Sequence, residues 1–155
     1  MRAVVQRVNR ARVTVEGAVT GEIGRGLLVY LGIGPDDGEP EVDWIAKKLA
    51  ELRIFPDDQG RFDRSVEDDG RAVLVVSQVT LYGDTRKGRR PSFTTAALPE
   101  VAAPLVERTK ETLRDRGLEV AGGRFGEHML VESENDGPVT IILDSAERER
   151  PRRGS

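Results

Sequence analysis

The chain has 155 residues, a formal charge of −3 and no cysteine. A chain of this length forms one domain that buries about 70% of the surface exposed in its unfolded form, so it needs no disulfide or structural metal. The lack of cysteine excludes thiolate nucleophiles, Fe–S clusters and cysteine zinc sites, and the single histidine excludes a histidine-based metal cluster, so we expect no metal and no cofactor.

The two ends of the chain bear on where the protein works and where its domain stops. No apolar run approaches the roughly 20 residues needed to cross a bilayer, and the first residues, MRAVVQRV, lack the layout of a signal peptide. We therefore expect a soluble cytoplasmic protein with no membrane partner. Residues 1–145 are predicted to form the domain, and residues 146–155 are predicted to be a charged, disordered tail.

The first third of the chain is typical of strands. β-Branched residues and partial alternation predict four of them, at residues 3–8, 12–17, 19–23 and 27–33. The last of these is almost wholly apolar, which indicates burial on both faces. A helix is predicted next, with Pro40 in its first turn. Its apolar face is formed by residues at helical spacing, namely Val42, Ile45, Ala46, Leu49 and Leu52.

The second half of the chain contains the strongest strand candidate, RAVLVVSQVTL at residues 71–81. A second helix is predicted to open at Pro99 and to end before Gly117, a typical helix-terminating glycine. Two further strands are predicted at residues 128–133 and 139–143. Many antiparallel-looking strands with two inserted helices predict an α+β fold and disfavour a doubly wound parallel sheet.

A run of basic residues, TRKGRR, follows the strongest strand. Its four cations are Arg86, Lys87, Arg89 and Arg90. Such a run is most simply a solvated loop, and the alternative is a local surface for phosphates. The chain as a whole is not basic, so its overall charge is not that of a nucleic-acid-binding protein.

Ordinary catalytic machinery is scarce in this sequence. A Ser–His–Asp triad needs a histidine, and we interpret His128 as a plain strand residue in preference to a catalytic base. Paired carboxylates occur in the turn-like segments DDQG and VEDDG, where acidic residues are expected to be solvated. Neither GxGxxG between a strand and a helix nor GxxxxGK[ST] is present. The chain therefore lacks the usual acid–base side chains of a hydrolase.

Hydroxyl and amide groups remain as candidates at the exit of the strongest strand. In a continuous strand Ser77, Val79 and Leu81 would share one face, while Gln78 and Thr80 would share the other. A polar strand end whose side chains bond to neighbouring backbone is the alternative interpretation.

Five segments of the sequence resemble the D-aminoacyl-tRNA deacylases. They are MRAVVQRV, LRIFPDDQGRFDRSV, VVSQVTLYGDTRKGRRPSF, GRFGEHM and NDGPVT, in order from Met1 to about Asp144. The resemblance implies a homodimer with an antiparallel, barrel-like sheet and an active site at the subunit interface. It implies hydrolysis of the ester that links a D-amino acid, or mischarged glycine, to the 3′ end of tRNA.

The resemblance also assigns roles to particular residues. Catalytic roles fall on the strand motif Ser77, Gln78, Val79 and Thr80. Substrate binding falls on a motif that reaches into the partner's site and on three other positions, namely Gly137, Pro138, Val139, Thr140, Phe125, Met129 and Arg7. Phe125 and Met129 match residues that line the site for the terminal adenosine, and Arg7 matches a residue that holds the Gly-Pro turn. Val79 stands where the family usually has phenylalanine, which removes an aromatic wall.

These roles imply a mechanism that uses the backbone. N–H groups around Gln78–Thr80 would stabilise the oxyanion, and Thr80 would act without forming an acyl-enzyme. A cis Gly137–Pro138 bond would direct two carbonyls at the substrate ammonium, so that an L side chain is excluded and glycine passes. Two alternatives remain: a non-catalytic RNA-binding protein on the same fold, and a relative retuned toward a mischarged L-aminoacyl-tRNA.

Overall fold

The computed structural model describes residues 1–151. This part of the chain contains eight strands and two main helices, which confirms the α+β class. The strands are β1 (Arg2–Val15), β2 (Ala18–Ile23), β3 (Gly26–Gly32), β4 (Phe55–Pro56), β5 (Phe62–Arg64), β6 (Ala72–Ser77), β7 (Glu119–Gly122) and β8 (Leu130–Asp144). The helices are α1 (Glu39–Glu51) and α2 (Pro99–Asp115), and two 3-10 turns cover Val79–Tyr82 and Ser145–Glu149.

The longest two strands each join segments that the sequence predicts to be separate. β1 joins the strands predicted at residues 3–8 and 12–17. β8 joins the strands predicted at residues 128–133 and 139–143 and includes the turn-like NDGP between them. The two strands pair antiparallel along most of their length, from Arg2 opposite Asp144 to Thr14 opposite Leu130. Because β1 and β8 pair with each other, each strand continues through the residues at which the local sequence predicts that it ends.

The main sheet is mixed, so the prediction of an antiparallel sheet is wrong in part. β1 pairs antiparallel with β2, β3 and β8, but β6 lies parallel to both β3 and β7. The two parallel pairs arise because α1 lies between β3 and β6 in the chain and α2 lies between β6 and β7. Each crossover helix brings the chain back to the end of the sheet at which the preceding strand began, so that the next strand runs in the same direction.

The sheet curls until β2 and β7 meet, which gives the barrel-like shape. A Cβ atom on Gly21 of β2 would overlap the carbonyl oxygen of Gly122 in β7. The two strands can approach this closely because residue 21 lacks a side chain. β2 and β7 form no ladder with each other, so the barrel is closed by packing and not by hydrogen bonds.

The core has two parts because residues on both faces of β3 and β6 are buried, as predicted for β3. One face packs against α1 and α2 through residues such as Val29 and Val75, and the other fills the barrel with residues such as Leu28 and Leu74. β1 contributes to both parts. Its first residues face the helices, and a register shift after Val8 turns its later residues toward the barrel interior.

Helix α1 begins at a cap that also holds the C-terminal segment. The backbone N–H of Gly38 donates to Glu41 Oε2 at 2.8 Å, and Arg148 pairs with the same carboxylate at 3.0 Å. Burial favours the neutral form of Glu41, but the donors at Gly38 and Arg148 outweigh it and lower the pKa of this carboxyl. The ionised carboxylate therefore stabilises both the helix start and the segment carrying Arg148.

The first residues of the predicted tail lie in a short turn. Ser145–Glu149 form a 3-10 turn. At its start the backbone N–H of Ala146 donates to the Asp144 side chain at 3.0 Å. Residues 152–155 of the predicted tail lie outside the described residues. Among residues 1–151, no helix combines the length and the apolar character required to cross a membrane.

Candidate active site

The chain turns sharply where the sequence predicts a continuing strand. β6 ends at Ser77, the N–H of Gln78 still donates to Leu31 O at 2.8 Å, and a 3-10 turn then begins at Val79. The carbonyl of Gln78 accepts from Leu81 at 3.3 Å, which closes the turn. The prediction that residues 71–81 form one strand is therefore wrong after Ser77, and the predicted alternation of faces does not apply there.

The turn leaves two backbone donors free. The N–H groups of Val79 and Thr80 begin a 3-10 turn, where no intrahelical acceptor exists, and no other group of the described residues accepts from them. Both residues are exposed to solvent. Two adjacent, unpaired N–H groups on a turn are available to an acceptor outside the chain.

The side chains of the same motif are tied to each other. Gln78 Nε2 makes a short contact with Thr80 Oγ1, with the amide as donor. Because the Thr80 oxygen accepts this hydrogen bond, its own proton is free to be donated elsewhere. The arrangement supplies a hydroxyl donor and two N–H donors at consecutive positions, and it contains no base for activating a nucleophile.

Tyr82 anchors the turn in the protein. Its side chain is buried against Gly32 and Gly34, where its ring and hydroxyl lie within about 3.0–3.2 Å of the place a Cβ would occupy. Burial raises the pKa of Tyr82, and the carboxylate of Asp37 raises it further, so the hydroxyl stays neutral. Arg2 lies over the ring, with its guanidinium carbon 4.5 Å from the ring centre.

A cleft of about 460 Å³ opens beside the 3-10 turn. Ser77, Gln78 and Val79 line one wall, and Phe125 and Met129 line another. The sequence-predicted residues of these two groups are thus brought together. Thr80 does not line the cleft and is exposed next to it.

A glycine makes room for one wall of the cleft. A Cβ on Gly123 would overlap the Met129 sulfur and would lie 3.2 Å from a methyl group of Val13. Met129 therefore occupies the space that a side chain at residue 123 would fill. Two of the apolar residues that line the cleft are exposed to solvent, with Val79 55% exposed and Phe125 39% exposed.

His128 also lines the cleft, which corrects its predicted place in a strand. It lies in the segment before β8, which begins at Leu130, and it is exposed. The neighbouring Glu127 lines the cleft as well. Sequence reasoning missed this position because the apolar residues after it extended the apparent strand back to His128.

The Gly-Pro motif forms an excursion from the β1–β8 ladder. Gln6 of β1 pairs with Thr140 and Val8 pairs with Asn135, so the segment Asp136–Val139 lies opposite the single residue Arg7. The peptide bond between Gly137 and Pro138 is cis, as the resemblance implied. Val139 is buried in the core, and Thr140 Oγ1 accepts from Gln6 Nε2 at 3.1 Å.

Arg7 holds the beginning of this excursion. Its side chain is buried and donates to Ile54 O at 2.7 Å and to Asp136 O at 3.1 Å. The Asp136 carboxylate lies 3.2 Å from the same guanidinium. A planar guanidinium suits this task because its donors leave in fixed directions and serve several acceptors at once.

Asn135 closes the neck of the excursion. Its side-chain amide donates to Arg7 O at 2.9 Å and to Val139 O at 3.0 Å, which joins the two ends of the segment. Sequence reasoning included Asn135 in the motif but missed this role. The signal that could have indicated this role is an asparagine two residues before Gly137, at the start of the turn-like NDGP.

The excursion and the cleft remain apart within one chain. None of Gly137, Pro138, Val139 and Thr140 lines the cleft, and neither does Arg7. Gly137 and Pro138 are exposed, and no side chain of the described residues donates to their carbonyl oxygens. The excursion therefore carries two exposed residues whose carbonyl oxygens accept from no side chain of residues 1–151.

Relatives match nearly the whole length of this chain. A protein named D-aminoacyl-tRNA deacylase from Roseiflexus castenholzii is 59% identical over 98% of this chain and 97% of its own length. One with the same name from Thermotoga petrophila is 56% identical over 94% of this chain and 98% of its own length.

Solved structures agree with the fold. The c-Myc DNA Unwinding Element Binding Protein superposes with a TM-score of 0.87 and 42% identity, covering 93% of this chain and 98% of that one. A probable eukaryotic D-amino acid tRNA deacylase, 20% identical, shares the fold with a TM-score of 0.80. The family model described as D-Tyr-tRNA(Tyr) deacylase matches residues 4–144, and with these relatives it shows that the chain belongs to that family.

Proposed function

We propose that this protein hydrolyses the ester between a D-amino acid, or mischarged glycine, and the 3′ end of tRNA. The products are free tRNA and the amino acid. The observation that carries the proposal is the pair of unpaired N–H groups at Val79 and Thr80, beside a cleft lined by Phe125 and Met129. The family match and the names of the relatives support this substrate class.

The chemistry needs little from side chains because the substrate is an activated ester. Water adds to the carbonyl carbon, and the N–H groups of Val79 and Thr80 stabilise the oxygen that becomes negative. The carbon–oxygen bond to the ribose then breaks, and the ribose oxygen takes up a proton. One such backbone donor contributes a factor of about 10²–10³ in rate. The ribose 2′-hydroxyl of the terminal adenosine positions the attacking water.

Thr80 acts in this scheme as a hydrogen-bond donor. Its oxygen already accepts from Gln78, and no histidine or amine of the described residues lies in contact to remove its proton. The hydroxyl therefore positions the substrate and forms no acyl-enzyme. Val79 in place of the family's usual phenylalanine widens the pocket at this point and keeps the N–H donor.

Selectivity for D-amino acids would come from the excursion of a second subunit. The carbonyls of Gly137 and Pro138 would point outward and accept hydrogen bonds from the substrate ammonium, at about 1.5–3 kcal/mol each. With ammonium and ester both fixed, an L side chain would strike the Gly-Pro backbone and a D side chain would point outward. Glycine has no side chain and would pass.

A homodimer is part of this proposal because the excursion does not line its own chain's cleft. Its support is rigid: Arg7 and Asn135 fix both ends of the segment. A rigid element that faces outward is suited to completing the site of a partner.

The proposal is tested by comparing D-tyrosyl-, L-tyrosyl- and glycyl-tRNA as substrates. Hydrolysis of the D-tyrosyl and glycyl esters with protection of the L-tyrosyl ester supports it. Salt-sensitive binding of tRNA without turnover would instead favour a non-catalytic RNA-binding protein. Preference for an L-aminoacyl ester would favour a retuned relative.

The shared site has its own test in a mixed dimer. One protomer carries Val79→Pro, which removes an N–H donor, and the other carries Gly137→Ala, which disturbs the excursion. If each site combines two chains, one of the two sites in the mixed dimer is intact, and about half of the wild-type activity returns although each homodimer is impaired. Activity no higher than the mean of the two homodimers would contradict the shared site.

A further inference from the structure

The basic loop, residues 85–91, is an isolated positive region on an acidic protein. The stretch 85–99 contains four cations and no acidic residue. Since the chain has a formal charge of −3 and this stretch carries +4, the rest of the chain carries −7. A polyanion is therefore attracted at this loop, whereas the net charge of the rest of the chain repels it.

Most cations of the basic loop have no carboxylate partner, unlike most other arginines of the described residues. Most arginines of the described residues pair with a carboxylate, as Arg12 does with Glu132. Within the loop only Arg86 is paired, through a two-pronged contact with Asp84. Lys87, Arg89 and Arg90 are exposed, and no carboxylate of residues 1–151 lies within ion-pairing distance of them. Three charges in four residues are left for an external anion.

Hydrogen bonds hold the basic loop in a defined shape, and its two ends are joined at a neck formed by Asp84 and Ser92. The backbones of Asp84 and Ser92 exchange two hydrogen bonds, at 2.7 and 2.9 Å. Arg86 donates from its backbone and its side chain to Asp84, which folds the first turn of the loop back on the neck. Gly88 has a φ of 66°, a conformation that places the turn at the tip.

The neck leads directly to the cleft on both sides. On one side the N–H of Gly83 donates to Thr80 O at 3.0 Å, so the loop leaves from the end of the 3-10 turn. On the other side Thr95 Oγ1 donates to Tyr82 O, and the next residues, Ala97 and Pro99, line the cleft. The loop thus connects two segments of the chain that line the cleft, one ending at Val79 and the other beginning at Ala97.

We infer that the basic loop binds the phosphodiester backbone of the tRNA acceptor end, next to the terminal nucleotide in the cleft. The inference rests on the proposed function, because an ester bound in the cleft requires the adjoining tRNA backbone to leave the cleft close to its opening. Lys87, Arg89 and Arg90 contact phosphates, and Arg86 keeps the loop in shape through Asp84. These contacts carry no base information, so they hold tRNAs of different sequence alike.

The test compares two triple variants with the same change in charge. The loop variant is Lys87→Ala/Arg89→Ala/Arg90→Ala. The control variant, Lys47→Ala/Lys48→Ala/Arg114→Ala, removes three exposed cations from the outer faces of α1 and α2. Binding of deacylated tRNA is measured by fluorescence anisotropy over a range of salt concentrations. Hydrolysis is measured on D-tyrosyl-tRNA and on the small ester 3′-O-D-tyrosyl-adenosine.

The loop variant should bind tRNA at least about tenfold more weakly than the control, and its salt slope should fall by about 2–3, at roughly 0.7–0.9 for each phosphate that is no longer neutralised. The ratio of kcat/KM for D-tyrosyl-tRNA to that for the small ester should fall about tenfold as well. Equal slopes and ratios in the two variants would overturn the inference. If the wild-type protein hydrolyses neither ester, the proposed function fails, and the anisotropy comparison still decides the role of the loop.

Discussion

Replacing Val79 with proline tests the backbone donors directly. Val79 is the first residue of the 3-10 turn, the helical position at which proline is best tolerated. Gln78 before it has a φ of −142° and a ψ of 83°, outside the helical region that a following proline disfavours. The Val79 side chain is 55% exposed, so the exchange removes little buried surface. The substitution thus deletes one N–H group with small structural cost.

The expected effect follows from what that N–H is free to do. No group of the described residues accepts from it, so its loss breaks no hydrogen bond in the folded protein. We expect the free energy of unfolding to change by less than about 1 kcal/mol. In the reaction, loss of one of two oxyanion donors should lower kcat by about 10²–10³, equivalent to about 2.7–4 kcal/mol of transition-state stabilisation.

The assay is single-turnover hydrolysis of D-tyrosyl-tRNA, with urea unfolding as the measure of stability. Val79→Ala is the matched control, because it shortens the same side chain and keeps the N–H. The control should retain kcat to within about tenfold. If Val79→Pro is equally active while remaining folded, the Val79 N–H does not stabilise the oxyanion and the proposed mechanism is wrong at that point.

Four further changes test the surrounding structure. Asn135→Ala should lower the free energy of unfolding by about 1–3 kcal/mol and erode D/L discrimination; Asn135→Asp should be worse, because a carboxylate faces two carbonyl oxygens. Gly137→Ala should destabilise by at least about 1 kcal/mol, since φ is 142° and the new Cβ would lie 2.7 Å from the next-but-one backbone nitrogen; Gly24→Ala, in open space, is its neutral control in thermal unfolding. Thr80→Ala should slow hydrolysis, and mass spectrometry of the wild-type enzyme quenched during turnover should find no aminoacyl adduct. Glu41→Gln should lower the free energy of unfolding by about 1 kcal/mol near neutral pH and by less in urea titrations as the pH falls below the ordinary pKa of a glutamate, because a lowered folded-state pKa gives stability that protonation removes.

The sequence predicts a helix or strand well where the pattern of its own apolar residues determines which kind of element forms. α1 follows from apolar residues at helical spacing with a proline in the first turn, and β3 follows from an apolar run that is buried on both sides. The family resemblance located Phe125 and Met129, which lie together with Ser77 in one cleft. In each case a local pattern or an ordered motif contained the information.

The turn after Ser77 shows why the rest is not predictable from local pattern. The residues Val79-Thr80-Leu81 alternate as strand residues do, yet the ladder stops because β3, the parallel partner of β6, ends at Gly32. The role of Asn135 is equally remote, since one of its acceptors lies 128 residues away in β1. Both features depend on a neighbour that the local sequence does not contain.

The excursion in β8 also affects how copies of this protein meet in concentrated solution. β8 has 15 residues and pairs with β1 alone among the described strands, so its other side is an open edge. An unbroken edge of this length is a template on which strands of other molecules add and aggregate. Asp136–Val139 divides it into two short stretches, and Pro138 has no N–H to offer. The segment proposed to select D-amino acids therefore also protects the sheet from edge-to-edge association.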